Sequence, residues 1–139
     1  YAGEPTPVAA SYASRTMLMS GLIIAAFILY HLLHFTVQAK GINLTGTDFG
    51  TLHDAKQRHD VYKMMVTGFS HPLVAGFYVL AMGLLCLHLS HGVSAMFQSL
   101  GLTNPAYKPV IQKFARGVAG AIFLGYASIP AAVLLGLVK

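Results

Sequence analysis

Apolar residues fall into three long blocks separated by polar segments. The first holds GLIIAAFILYHLLHF and predicts helix A over residues 15–37; the second holds LVAGFYVLAMGLLCLHLSHGVSAMF and predicts helix B over 72–98; the third holds GVAGAIFLGYASIPAAVLLGLV and predicts helix C over 114–138. Crossing a bilayer takes about 20 mostly apolar residues, and all three blocks qualify. None has Asp, Glu, Lys or Arg in its middle, where such a group is costly. The pattern therefore predicts an all-α membrane protein with three transmembrane helices.

The punctuation between blocks sets the expected boundaries. Ser70-His71-Pro72 reads as the start of helix B, with Ser70 as N-cap and the proline in the first turn. Pro130 lies deep in helix C and is expected to kink it. Between A and B, KGINLTGTDFGT is rich in Gly, Thr and Asn and reads as loop, while LHDAKQRHDVYKMMVTGF predicts a short interfacial helix. The B–C link, 101–113, contains NPAYKP and reads as a turn. There is no internal repeat and no low-complexity tract.

Composition agrees: 55% of the 139 residues are hydrophobic and 9% are charged, against about 25% charged in a soluble domain. The net charge of +5 is dispersed, without the basic, aromatic-interleaved cluster of a nucleic-acid surface, so no nucleic-acid partner is expected. The single cysteine, Cys86, excludes a disulfide within this chain. Lysines and arginines divide almost evenly between the two sides of the predicted spans, so the positive-inside rule does not orient them. The sequence opens on Tyr1 with no charged n-region and cleavage site; processing, truncation or a missing N-terminal part is expected.

Four histidines lie inside the apolar blocks: His31 and His34 in A, His88 and His91 in B. Ionisable groups within a span point to function, and neutral imidazole is a good ligand for haem iron. Each pair is spaced i, i+3, on one helical face. The plainer reading is that the rings bond backbone carbonyls of neighbouring helices. A zinc site built from both HxxH pairs is the other metal reading, but no carboxylate lies in these helices to orient the ligands. Haem needs one histidine on each iron face and room for a flat ring. Gly21 and Ala25 in A and Gly76, Gly83 and Gly92 in B are candidates for that room, whereas Gly117, Ala121, Gly125 and Ser128 on C read as a close-packing stripe.

Depth divides the candidates. At about 1.5 Å per residue, His31 lies roughly 24 Å from Arg15, and His88 roughly 24 Å from Pro72, at the opposite face of the membrane. The two then differ in depth by roughly 10–15 Å, so they are expected to serve different haems.

These residues carry a resemblance. ASRTMLMSGLIIAAFILYHLLHF followed by HDVYKMMVTGFSHPLVAGFYVLAMGLLCLHLSHGVSAMFQSLGL resembles the cytochrome b subunit of succinate dehydrogenase and fumarate reductase, in the branch with one large anchor chain and two haems b. HLSHGVSAMFQSLGL is the most specific stretch. The resemblance runs from about Ser11 to the end and covers the last three of five family helices. It implies a transmembrane cytochrome b domain over 1–139 that is part of a five-helix dihaem bundle and lacks an N-terminal two-helix part. By position, His31, ten residues after Gly21, matches the ligand of the distal haem, and His88, four before Gly92, that of the proximal haem. The second axial ligands would come from the missing helices or another membrane chain.

The resemblance further implies flavoprotein and iron–sulfur partner subunits, a quinone (menaquinone) as electron partner, and the bacterial inner membrane as location. The chain would be a subunit of the enzyme with no catalytic residue of its own. Arg15 would pair with a propionate of the proximal haem or serve as a positive-inside anchor. His34 and His91 would bond haem or quinone, or be alternative ligands. His53, His59 and His71 would meet distal propionates or be solvated. The competing readings are a haem-free membrane anchor or assembly subunit and a histidine-rich metal-binding membrane protein.

Overall fold

A computed structural model describes residues 12–102 and 104–139, with side chains from residue 17 onward. Among the described residues there are four α-helices: α1 (Tyr12–His31), α2 (Val61–Ser70), α3 (Pro72–Ser99) and α4 (Lys108–Leu134). Three segments are long and apolar enough to cross a membrane, Met17–Thr36, Pro72–Ser99 and Lys108–Leu134. The protein is an all-α membrane protein.

Helix α3 is central and touches α1, α2 and α4, and its contact with α4 is the most extensive. The core gathers at one end of the bundle, where Phe27, Phe69, Val74, Ala75, Tyr78 and Ala81 form one buried cluster. Elsewhere the spans are open: only 11%, 22% and 11% of their most apolar windows is buried within the chain. Leu18, Leu22, Leu80, Leu87 and Leu124 all point outward. Apolar surface on that scale requires lipid or further helices against it.

Several expected boundaries move, each for a local reason. Helix C is not 114–138 but Lys108–Leu134, and the supposed turn through NPAYKP contains its start. Asn104 caps this region, its Oδ1 accepting from Ala106 N and its carbonyl from Tyr107 N and Lys108 N. Pro109 then occupies the first turn, where its missing N–H costs nothing. The far end closes on Gly136, left-handed at φ +69°, with Leu137 N donating to Ala132 O and Gly136 N to Val133 O. Gly101 ends α3 in the same way, at φ +72°; these paired bonds satisfy the last helical carbonyls. Pro130 is fully buried, and α4 continues past it to Leu134.

Ser70 is not the N-cap of α3. It closes α2, its hydroxyl bonded to Thr67 O, and His71 takes the cap position without a side-chain cap bond. The interfacial helix covers only Val61–Ser70, capped by Asp60 through Lys63 N at 2.9 Å. The residues before it form a turn in which His53 and His59 pair their backbones. The small stripe on α4 faces outward: Gly117, Ala121, Gly125 and Ser128 are exposed. The buried face is instead Ala115, Ala119, Ala127 and Pro130.

Helix A also does not run uniformly to Val37. From Leu32 to Thr36 it widens into a π-helical turn, with Val37 N donating to Leu32 O and Ala39 N to Leu33 O. This wide turn ends the first span and carries His34.

Candidate functional site: two histidines at two levels

His31 and His34 meet the same residue from two sides. The Tyr78 hydroxyl is 3.0 Å from His34 Nδ1 and 3.4 Å from His31 Nδ1. The two rings nevertheless occupy different surroundings. His34 is 1% exposed, set among the rings of Tyr30, Phe35, Phe49 and Tyr78. Its Nε2 is buried without a hydrogen-bond partner. His31 is exposed and lines a cavity of about 370 Å³ whose other walls include Phe27, Met65, Met82, Tyr126 and Pro130. That volume lies within the range of small-molecule sites.

His88 stands near the other end of α3. Its Nδ1 is 2.9 Å from Ser20 Oγ, and its ring lies beside Gly21, where an added Cβ would sit 3.6 Å from Cε1. Since α1 and α3 lie side by side here, His88 is level with Ser20 and His31 with Tyr78. The ten residues from Tyr78 to His88 correspond to about 15 Å along the helix axis. The two histidines therefore do not face a common metal ion. Among the described residues no group of three or more His, Cys, Asp or Glu comes together, so the two HxxH pairs do not assemble a four-nitrogen zinc site.

His91 is exposed on α3. The side chain of Arg15 lies outside the described residues. His53 and His59 stay in the polar segment with rings 6.5 Å apart; Gln38 Nε2 donates to His59 Nε2 at 3.0 Å. His71 is half-buried, with an unpartnered Nδ1. Of the candidate glycines, Gly21, Gly83 and Gly92 face other helices, near His88, Phe123 and Met17 respectively, while Gly76 faces open space.

The residues present suit a haem on chemical grounds. Both exposed or half-exposed imidazoles, His31 and His88, have Nδ1 against a hydroxyl, and no described residue bonds their Nε2. Imidazoles that ligate metal commonly have the second nitrogen hydrogen-bonded in this way. The hydroxyl partners Ser20 and Tyr78 escaped the sequence reading. A serine and a tyrosine inside apolar blocks were visible there, but nothing in the sequence sets the stagger of α1 against α3 that brings each to a histidine.

No family model, no curated protein and no solved structure matches the chain.

Proposed function

We propose that this chain is the cytochrome b membrane anchor of a succinate:quinone oxidoreductase, relaying electrons between an iron–sulfur subunit and membrane quinone. The observation that carries the reading is the separation of His31 and His88 by about 15 Å of helix, each with Nδ1 occupied by a hydroxyl and Nε2 without a described partner. That arrangement suits one axial ligand to each of two haems at different depths. His31 Nε2 would hold the distal iron and His88 Nε2 the proximal one, with the second ligands supplied from outside this sequence.

Haem, when bound, supplies one-electron transfer at a potential set by its ligands and burial. The chain's own residues provide the rest. Phe27, Met82, Tyr126 and Pro130 give the cavity beside His31 an apolar lining. Tyr78 and Ser20 hold the two imidazoles. The wide outward apolar surface of α1, α3 and α4 leaves room for the additional helices that a five-helix dihaem bundle requires. His34 would support the ligand region without touching iron, because its ring is enclosed.

The deciding experiment is a reduced-minus-oxidised absorption spectrum of the membrane-extracted protein. A sharp haem b alpha band is expected. A colourless preparation overturns the reading in favour of a haem-free anchor, for which the purely internal bonding of His34 is the structural precedent.

A further inference from the structure

The two contacts of Ser20 favour one position for the ring proton of His88. Ser20 Oγ donates to the Met17 carbonyl at 3.0 Å, a bond that serines in apolar helices commonly make to the preceding turn. A hydroxyl carries one hydrogen and a carbonyl oxygen only accepts, so both contacts of Ser20 Oγ are made at once only when that hydrogen goes to the Met17 carbonyl. The same oxygen is 2.9 Å from His88 Nδ1, and with its hydrogen on the carbonyl it accepts there. In that arrangement Nδ1 carries the ring proton. A neutral imidazole has a single N–H, which leaves the lone pair on Nε2, where no described residue bonds it. Inside a span there is no water to relieve an unpaired N–H, so satisfying both contacts of Ser20 favours this tautomer.

We propose that Ser20 is a positioning residue for His88: its hydroxyl, held in orientation by the Met17 carbonyl, accepts the Nδ1–H and presents Nε2 as the metal-ligating nitrogen. This rests on the haem reading above for the identity of the metal. Gly21, next in the chain, lies beside the ring: a Cβ there would be at 3.6 Å from Cε1, an ordinary contact distance that alanine would also fit. Ser20 thus seats the imidazole of the facing helix, and Gly21 packs beside it. Loss of such an outer partner elsewhere weakens metal sites about 10–100-fold.

The test uses the assembled, haem-loaded complex with Ser20→Ala and Ser20→Thr. In S20A the haem at His88 is expected to shift its low-spin electron paramagnetic resonance signature. Its oxidised-to-reduced ratio at fixed potential should change about tenfold, equivalent to about 59 mV for one electron. The haem at His31 should keep its native signature, and S20T, which keeps a hydroxyl, should restore both. A haem-loaded S20A with native signatures at both haems overturns the inference and leaves the haem reading standing. A native complex without haem overturns both.

Nitrogen-15 spectra of histidine-labelled native chain, prepared without haem, provide a check that needs no variant. His88 should show a protonated Nδ1 and a bare Nε2; the opposite tautomer overturns the inference even if S20A does not assemble.

Discussion

The Tyr78 hydroxyl sits 3.0 Å from Nδ1 of His34, and that bond is the only one His34 makes to a side chain among the described residues. The ring is 1% exposed and its Nε2 is already unpartnered. Tyr78→Phe would leave both ring nitrogens without a partner in an aromatic enclosure, at a cost of about 1–3 kcal/mol. His34→Phe combined with Tyr78→Phe removes both halves of the contact, so the double variant should be less destabilised than the single costs add up to. The coupling energy should be about 0.5–1.5 kcal/mol, the scale of side-chain hydrogen bonds within membranes. Helix content followed during denaturation in micelles measures it, and strictly additive single effects would refute the contact.

Gly68 and Gly125 should answer the same substitution oppositely. A Cβ on Gly68 would stand 2.8 Å from Phe35 Cε1 and 3.3 Å from Phe49 Cζ. Phe35 has little freedom to withdraw, because Phe49 stacks on it at 6.0 Å and Phe69 lies 5.2 Å away. Gly68→Ala should therefore destabilise by about 1–3 kcal/mol. A Cβ on Gly125 meets nothing within 4 Å, and alanine is the better helix former by roughly 1 kcal/mol. In the isolated chain Gly125→Ala should leave stability unchanged or raise it, which the same denaturation measurement reads. Equal losses at both positions would mean that α2 does not press on the π turn as described.

The contrast between these glycines illustrates what the sequence makes legible. Three spans were visible because lipid tolerates only long, uncharged helical runs. His31 and His88 stood out because an imidazole there is conspicuous. The end of α4 was less visible: Gly136 ends the helix only because it is left-handed, whereas Gly125 sits within the same helix without breaking it. Ser20 and Tyr78 could not be assigned, since helical period tells which residues share a face and not which residue of the facing helix stands level with them. The π turn has no compositional signature at all; it is defined by which carbonyl each amide chooses. His34, expected on one face with His31, is drawn into the aromatic enclosure there.

Acid should loosen the polar segment before the helices. Asp48 is held below its ordinary value of 3.8 by its hydrogen bond to Lys40 and by the Gly50 amide, with the Lys40 ammonium 2.9 Å away. Asp54 is likewise lowered by the Arg58 amide and guanidinium. Both folded values lie below the unfolded ones, so their contribution is complete above the ordinary carboxylate range. It is lost as pH falls below about 4, through the folded values. The Gly50 and Arg58 amide resonances should titrate with midpoints under 3.8. Added salt should move the Asp48 midpoint upward, because this pair is exposed and screened. Midpoints at or above 3.8 in low salt would contradict these contacts.

The level of each histidine leads to a separation of signals. His31 stands at Tyr78 and His88 at Ser20, about 15 Å apart along α3, so if the two are axial ligands as proposed, one substitution cannot remove both directly. In the haem-loaded complex His31→Ala should abolish one b-type signal and spare the other, and His88→Ala should do the reverse. His91→Ala should keep both, since among the described residues no hydroxyl bonds its ring as Tyr78 and Ser20 bond those of His31 and His88. His34→Phe should also keep both, with reduced stability, because its ring is sealed from the cavity that His31 lines. Potentiometric titration of the alpha band resolves the two components. If either ligand variant erased both components in a complex that still assembled, or neither variant erased any, the two-level arrangement would not be what holds the haems.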